Sequence, residues 1–444
     1  MLWKGIYFMP SDAATPLALP AGNLFSLDAF SIDAAPFRKK TASGADEAAE
    51  KIALEIIAQV KLRGDEALRE YAQKFDRQGE DYQIRAGKEQ VKEAYSKVDG
   101  KAIEAMRLAI KNQEISSREF MPKGVIAQTD GAQIEQVFTP IGRIGIYAPG
   151  GRAAYPSSVI MAAIPAKIAG VESICLCSPP PISPAVLVAA DLCGIKEIFA
   201  VGGAQAIAAM AYGTKTVPKV DKIAGPGNRY VLAAKNLVRG ICCDIDMPAG
   251  PSEVLIVADE SANPSWVAQD ILAQLEHDPD AIAVLLCKKE DAARILDGMG
   301  RLAKGEPRLE IIKKAAENSY VVLADIADGK AVSEFVNEFA PEHLQLMCGN
   351  AEEILLLVKN AGSTFVGNRA CTAIGDYCAG SNHVLPTGGA AKFASSLSVL
   401  SFLKTSTIVR AKEGSALFEK TADFAKAEGL FAHAASARMR CGND

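Results

Sequence analysis

The sequence predicts an α/β protein: two parallel-sheet units, each covered by helices, with helical extensions at the N-terminus and the C-terminus. Three observations carry this expectation. From about residue 133, short apolar runs alternate with segments of helical periodicity, and near-continuous apolar strands belong to parallel sheets buried on both faces. The alternation comes in two series, one starting at "RIGIYA" and one at "EVLIVA". Three of the first series' strands run into glycine turns that open helices, the connection of Rossmann-like units.

Residues 1–45 are mixed, rich in Ala, Pro and Ser, and read as an arm. Over 45–121 the pattern is helical: "ADEAAEKIALEIIAQVKL" spaces its apolar residues three and four apart, and Gly64 separates it from "DEALREYAQKFD". The first α/β series then runs through "SSVIMAAIPAKIA", "SICLCS", "AVLVAADLC", "EIFAVG" and "AQAIAAMAYG" to "RYVLAAKNLV". The second continues through "AIAVLLC", "YVVLA" and "STFVG". The last fifty residues lose the strand signal and read as helical. The expected division is an arm over 1–45, an α/β domain from 46–130 together with 253–395, a second α/β domain inserted over 131–252, and a helical segment over 396–444.

Composition sets the class. With 444 residues, 49 % hydrophobic and 23 % charged, the chain can bury two or three cores. Its net charge of −5 and the lack of any basic run beyond "FRKK" (37–40) argue against a nucleic-acid partner. Ten scattered cysteines show no CxxC spacing, several inside apolar runs, which points to a reducing compartment and a cytoplasmic protein. Lys4, Pro10, Ser11 and Asp12 break the only leader-like stretch, and no run reaches about 18 apolar residues, so no membrane partner is expected.

The glycine turns are "IYAPGGRAAYPSS" (147–158), "FAVGGAQAIAA" (199–209) and "IAGPGNRYVLAA" (223–234). Helix N-termini present free N–H groups and a positive dipole end, so the three together predict an anion-binding face. None fits G-x-G-x-x-G or a Walker A sequence, and tight connecting turns would need the same glycines.

The four histidines all keep company with amides or carboxylates. Gln274 and His277 are i and i+3 on one helix face, suited to a borderline metal or to plain surface placement. Glu342 and His343 start an apolar run, so a strand beginning there holds the pair at its edge, as acid and base or as a structural ion pair. Asp376 and His383 lie in "GDYCAGSNHVLPTGG", a polar loop that is functional or merely solvated. His433 follows Glu428 in the C-terminal helical piece. Their joint company favours a metal or acid–base site.

The blocks "IGIYAPGGRAAYPSSVIM", "VGGAQAIAA", "DKIAGPGN", "DMPAGPSEVLIVAD", "QLEHD", "FAPEHL" and "GDYCAGSNHVLPTGG" resemble, in order and spacing, those of the histidinol dehydrogenase family. The resemblance runs from about residue 45 to the end; residues 1 to about 25 and Asp278 depart from the pattern. It implies a zinc enzyme, one ion per subunit, that oxidises L-histidinol to L-histidine through L-histidinal with two NAD. By matching motifs it implies Gln274, His277, Asp376 and His433 as zinc ligands and Glu342 and His343 as the acid–base pair. It implies Tyr147, Gln205 and Asn228 at the cofactor. Ser252, His343 and Glu428, with the metal ligands, would contact substrate, and His383 would lie nearby. It also implies a homodimer whose C-terminal segment completes the partner's site. The alternatives are a paralogue oxidising another small alcohol, such as a sulfonated propanediol, and a metal- or anion-binding protein without turnover.

Overall fold

The computed structural model describes residues 24–26, 47–150, 155–247, 250–413 and 415–441. Two parallel sheets dominate. The five-stranded sheet runs in the order Glu197–Phe199, Ser173–Cys177, Arg143–Tyr147, Lys222–Ala224, Asp244–Ile245. The six-stranded sheet runs in the order Leu24–Ser26, Tyr320–Leu323, Ile282–Cys287, Glu253–Ala258, His343–Met347, Ser363–Val366. All neighbouring pairs in both are parallel. Counted within each series, both sheets take the order 3-2-1-4-5, the doubly wound arrangement of Rossmann-like units.

Burial follows the sequence pattern. Every residue of Glu253–Ala258, Ile282–Cys287 and His343–Met347 is buried, as strands covered on both faces must be. Helix Pro156–Ala169 is apolar nearly all round and lies enclosed between its own sheet and helices Gly100–Glu119 and Pro184–Leu192. At the six-stranded sheet's carboxyl end, Asp259 links the loops after strands Glu253–Ala258 and His343–Met347, its carboxylate accepting from the N–H groups of Ser261 and Gly349 at 2.8 Å each.

Three expectations need correction. The helices of residues 46–130, expected to join 253–395, cover the five-stranded sheet instead. Ala49, Ile56, Val60 and Leu68 join one core with Ile207 and Val231, while Met106 and Ala109 join another with Ile144 and Ile164. Apolar periodicity tells a helix which face to bury, not which sheet to bury it against, because hydrophobic attraction is non-directional. Next, the C-terminal segment is not all helical. Leu403–Ala411 is a nine-residue strand, antiparallel to Ala132–Pro140, which also pairs with Val125–Thr129. Eight of its nine residues are exposed, so it lacks the one-sided burial that writes alternation into a strand. Lastly, Leu24–Ser26 of the expected arm is an edge strand beside Tyr320–Leu323; the rest of residues 1–46 lies outside the described residues. Helices Leu417–Ala427 and Phe431–Arg438 match the helical reading. Among the described residues no helix is long and apolar enough to cross a membrane, and the ten cysteines are free.

Candidate active site

The helix Gly329–Phe339 ends at Ala340, whose left-handed backbone (φ 48°) turns the chain through Pro341. Glu342 and His343 then enter at the amino end of a central strand, both buried. Strand Glu253–Ala258 lies alongside, with His343 in register with Val254. That neighbour fixes both side chains. The backbone N–H of Glu253 donates to Glu342 Oε2 at 2.7 Å. Its carbonyl lies 3.2 Å from His343 Nδ1, and since a carbonyl only accepts, Nδ1 carries the hydrogen. Nε2 is thereby aimed at Asp376 Oδ1, 3.2 Å away.

The electrostatics follow from this geometry. Burial works against a charged His343, but Glu342 and Asp376 outweigh it and raise the imidazole to about 10. For Asp376 burial pushes upward, yet His343 on its oxygen leaves the carboxyl below its usual range. His383 goes the other way: burial lowers it, with its Nδ1 donating to the Asp376 carbonyl at 2.8 Å. Its Nε2 meets Ser158 Oγ at 3.5 Å.

Ser158 stands in the first turn of helix Pro156–Ala169, which follows strand Arg143–Tyr147 of the other sheet. The carboxyl end of the five-stranded sheet therefore faces the amino end of the six-stranded one. All three glycine turns are at that carboxyl end. Tyr147 ends the first strand of its series, and its hydroxyl accepts from Gly203 N–H at 3.0 Å. Gln205 is buried in the first turn of helix Gly203–Tyr212. Asn228 caps helix Arg229–Val238, its side-chain oxygen accepting from Tyr230 and Val231 N–H, each at 3.1 Å. Residues 151–154 of the first turn lie outside the described residues.

Of the expected metal ligands, Gln274 is buried in the last turn of helix Pro264–Leu275, its side-chain Nε2 without a partner. His277 is exposed just beyond, near enough to pull the Asp376 pKa down. Ser252 lies immediately before Glu253, its carbonyl accepting from Ile282 N–H at 3.0 Å. Glu428 and His433 are exposed in the C-terminal helix pair, which packs on itself through Ala422, Ala434 and Ala437. Among the described residues no three His, Cys, Asp or Glu side chains of one chain converge on a common metal position.

A model of the family described as histidinol dehydrogenase matches residues 39–441. The chain belongs to the histidinol dehydrogenase family. It is 45 % identical over 397 residues to the histidinol dehydrogenase of Methanosarcina mazei, covering 87 % of this chain and 90 % of that relative. With the histidinol dehydrogenase of Methanothermobacter thermautotrophicus it shares 46 % over 394 residues, 87 % and 92 % of the two chains. The crystal structure of histidinol dehydrogenase from Elizabethkingia anophelis superposes with a TM-score of 0.85 at 38 % identity, over 88 % of this chain and 92 % of that one. The chain is thus an enzyme of the dehydrogenase class with this family's α/β fold.

Sequence reasoning missed Glu253. This residue of a histidinol dehydrogenase family member is fully buried, its backbone holds both Glu342 and His343, and its Oε1 accepts from Gly388 N–H at 3.1 Å in the loop after His383. The signal was there: a carboxylate opening "EVLIVA", an otherwise wholly apolar strand.

Proposed function

We propose that the chain oxidises L-histidinol to L-histidine through L-histidinal, in histidine biosynthesis, using two NAD in turn and one zinc ion per subunit. The observation that carries this reading is the opposition of the Glu342–His343 pair, at the amino end of one sheet, to the glycine turns at the carboxyl end of the other. NAD would lie along those turns, with Tyr147, Gln205 and Asn228 against it, at the end of an open sheet where ligands bind. Its nicotinamide would then reach a substrate held beside His343.

The donor set suits zinc. Gln274 buries an amide nitrogen that no group among the described residues satisfies, a state costing about 1–3 kcal/mol, and turning that amide over points its oxygen to the same place. With His277 and Asp376 it offers one nitrogen and two oxygens. Zinc, when bound, would fix the imidazole and amine of histidinol. The fourth ligand, His433, and the substrate contact Glu428 would come from a second subunit. The C-terminal strand and helices expose Val409, Phe424 and Phe431 by 63–70 % each, apolar surface of the kind an interface covers.

The chain's own residues then divide the work. As the first hydride leaves the carbinol carbon for NAD, the alcohol proton passes to His343 Nε2. With Asp376 among the residues that would hold zinc, one of the two charges that keep this imidazole protonated would be shared with the ion. In the second half, water adds to the aldehyde carbon and gives its proton to Glu342, after which a second hydride leaves. Ser252 and His383 would line the substrate, and enclosure retains the reactive aldehyde between steps. The test is NADH formation on adding histidinol, against a sulfonated propanediol; turnover of the latter alone would overturn the reading.

A further inference from the structure

Ten residues after Gly225 comes Lys235, in the middle of helix Arg229–Val238, and just past strand Asp244–Ile245 comes Asp246. Their side chains form an ion pair with only 1 % and 2 % of their surfaces exposed. The charges do not merely meet each other. Lys235 Nζ also donates to the Gly225 carbonyl at 2.9 Å. Asp246 Oδ2 accepts from the Gly225 N–H at 2.8 Å, while Oδ1 accepts from Met247 N–H at 2.8 Å. A single buried pair thus holds the N–H and the C=O of one glycine.

Gly225 stands in a special place. Its φ of +120° belongs to glycine, and a Cβ there would come within 2.1 Å of the Tyr147 carbonyl oxygen. The next residues are Pro226, Gly227 and Asn228, the third glycine turn. Tyr147 in turn reaches the second turn through its hydroxyl on Gly203. Gly225 and Gly203 are thus both placed against Tyr147, which joins the second and third turns to the strand that leads into the first.

A buried ion pair is a poor device for stability alone, because apolar residues of similar volume commonly do as well. What apolar residues cannot do is bond both polar groups of Gly225. We infer that Lys235 and Asp246 are positioning residues for the dinucleotide: their clamp presets the Gly225–Asn228 turn at the spacing from Tyr147 that the cofactor needs. This rests on the proposed placement of NAD along the glycine turns.

The test compares three full-length variants with the parent: Asp246→Asn, the apolar pair Lys235→Met/Asp246→Leu, and Asn228→Ala. NADH binding is read by calorimetry, melting temperature by calorimetric scan, and KM and kcat with histidinol. The expected result is a folded apolar-pair variant whose NADH dissociation constant and NAD KM rise about 10- to 100-fold, with the histidinol KM little changed. Should that variant not fold, Asp246→Asn, which keeps an acceptor but removes the charge, is expected to show the same split more weakly. If clamp variants bind NADH as the parent does while Asn228→Ala binds it weakly, the inference is overturned and the NAD placement stands. If Asn228→Ala and the clamp variants all bind NADH normally, the placement fails and the inference with it. A parallel rise of the NAD and histidinol KM values would make the pair a general structural element and likewise overturn it.

Discussion

The imidazole Nδ1 of His343 sits 3.2 Å from the backbone carbonyl of Glu253, a residue ninety positions earlier on the adjacent strand. The same residue's N–H binds Glu342 Oε2. Strand register, rather than any loop, sets the relative aim of Glu342 and His343. A slip of one position would turn every side chain of the strand to the other face.

The first prediction separates those two residues. Glu342→Gln keeps a hydrogen-bond acceptor for the Glu253 N–H but cannot take a proton from water. Oxidation of added histidinal should fall by about 10²–10⁴-fold, the usual contribution of such a group, and oxidation of histidinol by much less. Equal losses in the two half-reactions would remove the water-activating role.

Metal content tests the ligand set. His277→Ala should lose zinc as well as activity, measured by elemental analysis after dialysis, and the parent should shed zinc in mild acid because imidazole must be unprotonated to ligate. Full zinc occupancy in the variant would strike His277 from the set.

Subunit mixing tests the shared site. A His433→Ala chain would lack a ligand only in its partner's site, and a His343→Ala chain a base only in its own. In the mixed dimer both lesions then fall in one site, and isologous pairing leaves the other whole, giving about half of parental activity. Verified heterodimers without activity would place His433 in its own subunit's site.

Asp76 offers a pH test outside the site. Burial alone raises its carboxyl to about 6 from the ordinary 3.8. The folded state therefore favours the protonated form: the stabilising contribution is complete below about pH 4 and is lost as pH rises through about 6. Asp76→Asn should melt higher than the parent at pH 7.5, and the gap should close as pH falls toward 4. A gap independent of pH would mean that the carboxyl titrates normally.

Much of the fold was legible because buried parallel strands are written as uninterrupted apolar runs. The strand expected to start at Glu342–His343 does start at His343, and the three glycine turns do end strands of one sheet. What was not legible has separate physical causes. Val125–Thr129 and Leu403–Ala411 are exposed along almost their whole length, so the single chain gives their sequences no inside to record. Glu253 stood out as a lone carboxylate opening an apolar strand, but its hold on Glu342 and His343 runs through its backbone, which every residue type carries. The partner sheet of helix Glu47–Arg63 is a question of long-range packing that periodicity does not encode.

The twice-used strand order has one more consequence. Two sheets of like winding meet in opposite polarity, so only one turns its carboxyl rim inward. The other's rim looks outward, and there the Asp259 carboxylate ties together the loops after two of its strands. Such a chain is a pseudo-symmetric pair whose halves, alike in winding, turn opposite ends toward each other: one offers its glycine turns, the other the strand starts at Glu253 and His343.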